Sequence, residues 1–359
     1  MFPDDMSRIE RTLLFIALIF IIIIAVKMTS YLVTLFVMSL ILTLLALPAM
    51  VWLKAKGLSD VYSVLVITAI AGLVILAGIV LTALSFNTLI QDLPQYQAEL
   101  NMRLLNMSDL LTPLGVSSGS NGIPSVNLGD FISVGIGGAL SLMDGIMFLF
   151  FVGVMTFVML LDAPKVADRM EQKFGKNSEM VRQLNRMTGY IIDFIVVRTE
   201  TNFIHALLFG GFLGVMGVHG AILWGVLTFL LGYIPFFGLI IAAIPAIFFA
   251  WLQFGVPGAV AVIVAVCVLN LIVENPVYSY LASRKFEMPA LIVIVSVIFW
   301  GWLLGLAGML FAIPITLLVL LVFQMCDELR WINTVLGVNH LFDDTRNRKT
   351  DQFPTSHKD

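Results

Sequence analysis

Charge is what this chain has least of. Asp, Glu, Lys and Arg make up 12% of its 359 residues and hydrophobic residues 60%, against about 25% and about 45–50% in an average soluble domain. Too little polar surface remains to cover a water-facing globule, which excludes an ordinary soluble enzyme and a disordered chain. Cysteine is scarce too. Cys267 lies inside an apolar run and Cys326 at the end of one, so neither a disulfide framework nor a zinc site is expected. The 20 basic residues form no extended stripe, and nucleic-acid binding is excluded with them. No HExxH, GxSxG, Walker A or CxxC is present. Asp343-Asp344 stands alone in a polar tail, and His205 and His219 are too far apart to suggest a metal site. The chain reads as no enzyme, with no cofactor and no bound metal.

What it has is long apolar runs. Thr12–Val26 ends at Lys27, and Met28–Leu53 follows uncharged, with a tight helical turn expected near Lys27–Ser30. Val61–Ile90, Phe131–Leu161 (interrupted by Asp144), Thr201–Val273 and Met288–Cys326 complete the set. A bilayer core needs about 20 helical residues to cross, and open strands cannot satisfy their backbone groups in lipid. The fold class is therefore all-α: a polytopic membrane protein of about eight hydrophobic helical segments.

Sidedness follows from the basic residues. Residues 87–130 carry Asp92, Glu99, Asp109 and Asp130 against Arg103, whereas 162–200 carry Lys165, Arg169, Lys173, Lys176, Arg182, Arg186 and Arg198. The positive-inside rule puts 162–200, Lys54, Lys56 and the tail in the cytoplasm, with both termini there, in a multi-pass cell membrane protein. Eight full spans would leave Arg284-Lys285 outside. Six full spans plus two helical hairpins, at 221–251 and 289–325, return them to the inside and leave only Lys27 and Arg103 out. The layout is then helices 1–3 over 1–86, an outer amphipathic helix and loop over 87–130, and a fourth span over 131–161. Cytoplasmic amphipathic helices follow over 162–200, a transport core over 201–326, and a cytoplasmic tail over 327–359.

The hairpin tips would be Gly232-Tyr-Ile-Pro235-Phe-Phe-Gly238 and Gly305-Leu-Ala-Gly308, residues suited to leaving helical geometry. An internal echo pairs them: Leu230-Leu231-Gly232…Gly238…Ala243-Ile244-Pro245 against Leu303-Leu304-Gly305…Gly308…Ala312-Ile313-Pro314. Gly/Pro-interrupted apolar segments in corresponding places point to a transporter's binding region.

Two amphipathic stripes lie between the spans. Leu89, Leu93, Tyr96, Leu100, Leu104, Met107, Leu111 and Leu114 fall at helical spacing, for a helix on the outer lipid boundary or a subunit contact. In the cytoplasmic segment, Asp162-Ala163-Pro164 reads as a helix start, Gly175 as its end, and Asn177/Ser178 as the next start.

Charge within the apolar runs needs a reason, since an ionised side chain at a bilayer centre costs roughly 2.5–3.5 kcal/mol or more. Glu274 lies one turn after Asn270, and Asn275-Pro276 is expected to unwind the helix beside them and free carbonyls for a polar or cation site. Alternatively, Glu274 reaches headgroups or Arg284. Asp144 is a second intramembrane candidate, or simply wet at the outer boundary. Arg198, Asn202 and His205 fall at i, i+4 and i+7 on one helix face. Arg198 there either meets a solute or snorkels to phosphates.

Over Arg198–Pro314 the chain resembles the autoinducer-2 exporter (AI-2E) family. The residues that carry the likeness are Gly217-Val218, Leu223-Trp224-Gly225-Val226-Leu227, Tyr233-Ile234-Pro235, Gly238, Ile244-Pro245 and Asn275. Trp300-Gly301-Trp302-Leu303-Leu304-Gly305, Gly308-Met309-Leu310 and Ile313-Pro314 complete it. The resemblance implies export of a small polar quorum-sensing signal such as autoinducer-2 or a related solute, or in some relatives sodium or lithium/proton antiport. It also implies a pentameric homo-oligomer with an elevator-like division into scaffold and moving parts. Where relatives often carry a proline and a glycine after the Asn275 block, this chain has Tyr278-Ser279-Tyr280 and Ser283.

Overall fold

A computed structural model describes residues 8–111, 129–176, 178–283, 288–338 and 341. The described residues form twelve α-helices and no strand: α1 Arg8–Met28, α2 Ser30–Ala55, α3 Asp60–Gln91, α4 Leu93–Leu111, α5 Gly129–Phe174, α6 Glu179–Met216, α7 Ala221–Leu231, α8 Gly238–Ser283, α9 Ala290–Leu304, α10 Leu306–Leu310, α11 Ala312–Met325 and α12 Arg330–Val335. Four stretches are long and apolar enough to cross a bilayer: Ser30–Ala55, Asp60–Gln91, Asp144–Phe174 and Gly238–Glu274. Ala17–Met28, α7, α9 and α11 are apolar but shorter. Between its buried ends α3 turns most of its apolar side chains outward, Leu73 at 69% and Leu84 at 61% exposure. Water would not tolerate such a surface, but lipid does. This is a polytopic α-helical membrane protein.

Two long helices are shaped by local chemistry. As a straight rod, the 46 residues of α8 would run about 69 Å at 1.5 Å per residue, more than twice a bilayer core. Gly255, at φ 69° and ψ −161°, breaks it into two limbs, a conformation open to glycine but not to a residue with a β-carbon. Gly217, at φ 79°, stops α6 with two reversed bonds, its own N–H to the Gly214 carbonyl at 3.1 Å and the Val218 N–H to Leu213 at 2.9 Å. This is the usual left-handed helix stop.

Three expectations are corrected. The Lys27–Ser30 region is a kink rather than a reversing turn: Thr29 alone separates α1 from α2, and helix-type bonds continue on both sides, Thr29 N–H to Ala25 and Val33 N–H to Thr29. One residue cannot reverse two helices. Asp162-Ala163-Pro164 starts no new helix, because α5 runs through Pro164 to Phe174. The proline removes one N–H, and the Lys165–Asp162 pair at 2.8 Å supports that turn. Gly175 and the Ser178 cap of α6, whose hydroxyl accepts from Val181 N–H at 3.3 Å, fall where the sequence puts them. Thirdly, the outer stripe is not left for lipid alone. Leu89, Tyr96 and Leu100 pack into one core with Phe209, Leu213, Trp224, Phe249 and Leu252 of α6–α8, and the side chains of Leu93, Leu104, Met107 and Leu111, with Leu114, lie outside the described residues.

The ends of the bundle can be told apart. Met50, Val64 and Leu160 share a small core, so the 56–59 turn and the basic segment after Leu161 lie at the same end. At the other end, Tyr96, Gln253 and His219 tie α4 to the α6–α7 corner and the kink of α8. With the Gln253 carbonyl turned to the Tyr96 hydroxyl (3.1 Å) and the His219 N–H (3.2 Å), its amide donates to the Gly217 carbonyl at 3.3 Å. Burial pushes the Tyr96 hydroxyl up to about 12, and the Asp92 charge adds to it. Arg103 of α4 pairs with Glu99 at 3.0 Å and reaches the Leu252 carbonyl at 3.4 Å beside Gly255.

Candidate functional site

Both interrupted segments break their helices where the glycines predict. α7 stops at Leu231, and residues 232–237 turn the chain into α8. α9 stops at Leu304, with Gly305 at φ 72° and ψ −152°. In each, a glycine lets the second limb cross the first at backbone contact: a β-carbon on Gly238 would overlap the Leu231 carbonyl, and one on Gly308 the Trp300 carbonyl. The echo ends there. Pro245 sits inside α8, whereas Pro314 lies in the first turn of α11.

The two breaks meet. Ile234 of the first packs with Val297 and Ala312, with Leu231, Trp300, Met309 and Leu310 around them. The first break is strained, with Phe236 at φ 66° and the Phe237 N–H bonded two residues back to the Pro235 carbonyl at 2.8 Å. That is a γ-turn in the sparsely populated positive-φ form.

Under this turn lies the polar cluster of the fold. Arg198 Nη1 donates to Glu274 Oε2 at 2.9 Å, and its Nε donates to the Gly232 carbonyl at 2.9 Å. Their side chains are 9% and 15% exposed. The Gly232 carbonyl is the C-terminal end of α7, where the helix dipole is negative. Arg198 thus answers two negative centres, and neither it nor Glu274 has to reach headgroups or Arg284. Asn202, one turn on, presses its Oδ1 against Gly232, where a β-carbon would come within 2.5 Å. Asn202 Nδ2 and His205 Nε2, on the same face, are buried and have no hydrogen-bond partner among the described residues. Beside them the Thr199 and Tyr233 hydroxyls meet at 2.7 Å.

Other expected members stand apart. Asn270 is exposed, although it is one turn before Glu274. The helix does not unwind at Asn275-Pro276: α8 continues to Ser283, because proline deletes one N–H without ending a helix already held by its neighbours. The free carbonyl therefore comes from Gly232, and the side chain of Asn275 lies outside the described residues. Asp144 is exposed on α5 and takes no part. Pro235 is buried within the first break. Thr199 and Tyr233 escaped the sequence reading. Their hydroxyls flank Arg198 and Gly232 in the chain, a proximity that stands out only once the α7–α8 turn is folded.

A family model described as AI-2E family transporter matches residues 13–326. The chain belongs to the AI-2E transporter family. A transport protein of Haemophilus influenzae, named without a substrate, is 30% identical over 325 residues, 86% of this chain and 91% of that one. The AI-2 transport protein TqsA of Escherichia coli K12 is 27% identical over 71% of this chain and 76% of its own length. YhhT of the same strain, also named only for transport, is 25% identical over 82% of each. The AI-2E chain is thus a multi-pass membrane protein of a transporter family rather than of an enzyme class.

Proposed function

We propose that this AI-2E protein exports a small polar solute, such as autoinducer-2 or a related signal, across the cell membrane by an elevator-like movement. Residues 201–326 form the moving unit, and α1–α5 form the scaffold of a homo-oligomer, a pentamer, with the C-terminal tail in the cytoplasm. Gly232, Pro235 and Gly238 at one break and Gly305 and Gly308 at the other shape the path. Arg198, Asn202 and Glu274 supply its polar contacts, with Asn270 and Asn275 further along α8. The observation that carries this reading is the Arg198–Glu274 pair on the Gly232 carbonyl, beside the two unpartnered groups of Asn202 and His205. A buried ion pair contributes little net stability over a packed apolar core, so its presence at a helix break favours a working role. The Asn202 amide donor beside it, with a His205 ring nitrogen that donates or accepts according to its tautomer, suits a polar ligand with oxygen acceptors.

The same pair supports a second reading, sodium (or lithium)/proton antiport, in which Glu274 leaves Arg198 to take a proton or a cation in turn. Purified protein in vesicles separates the two. Export predicts flux of the labelled solute with no sodium-driven movement of a pH dye. Antiport predicts dye movement that Glu274→Gln abolishes. Vesicles showing neither, with folded protein inserted, would defeat both.

A further inference from the structure

Between Thr12 and Leu53 the chain carries one charge, Lys27, at the C-terminal end of α1. An ammonium in so apolar a stretch needs partners, and these come from the second break. Lys27 Nζ donates to the Trp302 carbonyl and, at 3.4 Å, to the Leu303 carbonyl, and stands 5.4 Å from the centre of the Trp302 ring. Both carbonyls belong to the last turn of α9. Backbone bonding there ends with the Gly305 N–H on the Gly301 carbonyl at 2.9 Å, and the left-handed Gly305 then redirects the chain. No backbone N–H of the described residues returns to Trp302 or Leu303. The end of α9 therefore presents unused carbonyls at the negative pole of a helix, next to an aromatic face.

The first break is built alike, with Arg198 on the Gly232 carbonyl at the end of α7, but there Glu274 neutralises the cation. At the second break no carboxylate among the described residues pairs with Lys27, which is exposed and whose contacts there are carbonyl oxygens and the indole ring. Unwound carbonyls at half-helix C-termini are the ligands from which membrane proteins build sodium sites. We infer that the carbonyls of Trp302 and Leu303, with the Trp302 ring, form a monovalent-cation site whose resident occupant is the tethered ammonium of Lys27. A sodium ion enters when the ammonium is withdrawn. In this arrangement α1 is latched to the second hairpin by a contact for which free cations compete. The inference does not depend on which solute the protein carries.

The test uses the full chain with Cys267 and Cys326 replaced by alanine, purified in detergent, with and without Lys27→Met or Lys27→Cys, and radiolabelled sodium as the probe. Lys27→Met is expected to gain one saturable sodium site per chain over the parent, and its thermal midpoint should rise in NaCl relative to equal choline chloride. The Lys27→Cys protein is first labelled with 2-aminoethyl methanethiosulfonate, which restores an ammonium, and shown to elute as the parent does. Removing the label by reduction from this folded protein should strengthen sodium binding at least tenfold. The same protein carrying a neutral methyl disulfide should bind sodium as the reduced form does. Sodium binding unchanged by loss of the ammonium, in both the methionine variant and the reduced cysteine variant, would overturn the inference. So would an aminoethyl label that leaves sodium bound.

Discussion

Arg198 and Glu274 stand 76 residues apart in sequence and 2.9 Å apart in space. Arg198 is buried and Glu274 largely so, at 15% side-chain exposure, and each would be a liability alone. Removing one partner of a buried pair typically costs about 3–5 kcal/mol, whereas replacing both by apolar groups of similar volume is often neutral. Glu274→Gln and Arg198→Met are therefore expected to lower thermal stability sharply, and the Arg198→Met/Glu274→Met double variant to regain most of the loss. Transport should stay absent in all three. A double variant that is as unstable as the sum of the singles would mean that the two charges do not act on each other.

The glycines of the breaks make a graded prediction. A β-carbon at Gly238 would overlap the Leu231 backbone, which cannot yield without opening the hairpin, whereas one at Gly232 chiefly meets the Asn202 amide and, at 2.9 Å, the Thr228 carbonyl. Gly238→Ala should thus cost more than the roughly 1–3 kcal/mol of ordinary overpacking, and Gly232→Ala about that much. Asn202→Ala should relieve part of the Gly232→Ala defect and none of the Gly238→Ala defect. Thermal unfolding of the three single variants and of the two doubles that carry Asn202→Ala, compared with the additive expectation, decides it.

How much of this could be read from the chain differs from residue to residue. The apolar runs and the breaks at Gly232 and Gly305 are local matters, fixed by hydrophobicity and by what a β-carbon forbids. The shared face of Arg198, Asn202 and His205 is equally local, because helical spacing alone sets it. What they face was not legible. Glu274 reaches Arg198 only through the reversal at 232–237 and the kink at Gly255, and the first of these also brings Tyr233 to Thr199. The errors have one cause. Asp162-Ala163-Pro164 reads as a helix start, Asn275-Pro276 as an unwinding and Lys27–Ser30 as a turn, and in each case neighbouring helical bonds carry the helix through or past the weak point.

The tie of α4 to the α6–α7 corner has an alkaline signature. The Tyr96 hydroxyl is raised to about 12, from an ordinary value near 10. The folded chain thus keeps this proton through a range in which the unfolded chain loses it. The stabilisation is present in full below about pH 10 and disappears as pH climbs to about 12. Hydrogen exchange over 93–103 should accelerate across that window in the parent protein. In Tyr96→Phe it should be faster at neutral pH, for want of the Gln253 bond, and free of this alkaline step. A step of equal size in the phenylalanine variant would assign it to another group.

Phe236 offers the sharpest view of what the first break is for. It is the non-glycine residue with positive φ among those described, it is 45% exposed, and no buried core holds it there. Such a conformation costs of the order of 1–3 kcal/mol in a residue with a β-carbon, and Phe236→Gly removes that cost at the expense of a looser unfolded chain. If the turn were only a connection, the variant would be slightly more stable and equally active. If the strained turn has to change shape as a solute passes Arg198 and Glu274, relaxing it deepens the resting state, and flux should fall even as the thermal midpoint rises by a few degrees. Pro235→Ala/Gly238→Leu supplies the opposite control, a tip stripped of its turn chemistry, for which loss of flux with normal membrane insertion is expected. Undiminished flux from both tips would show that the path does not run through this break, whatever the Arg198–Glu274 pair contributes to stability.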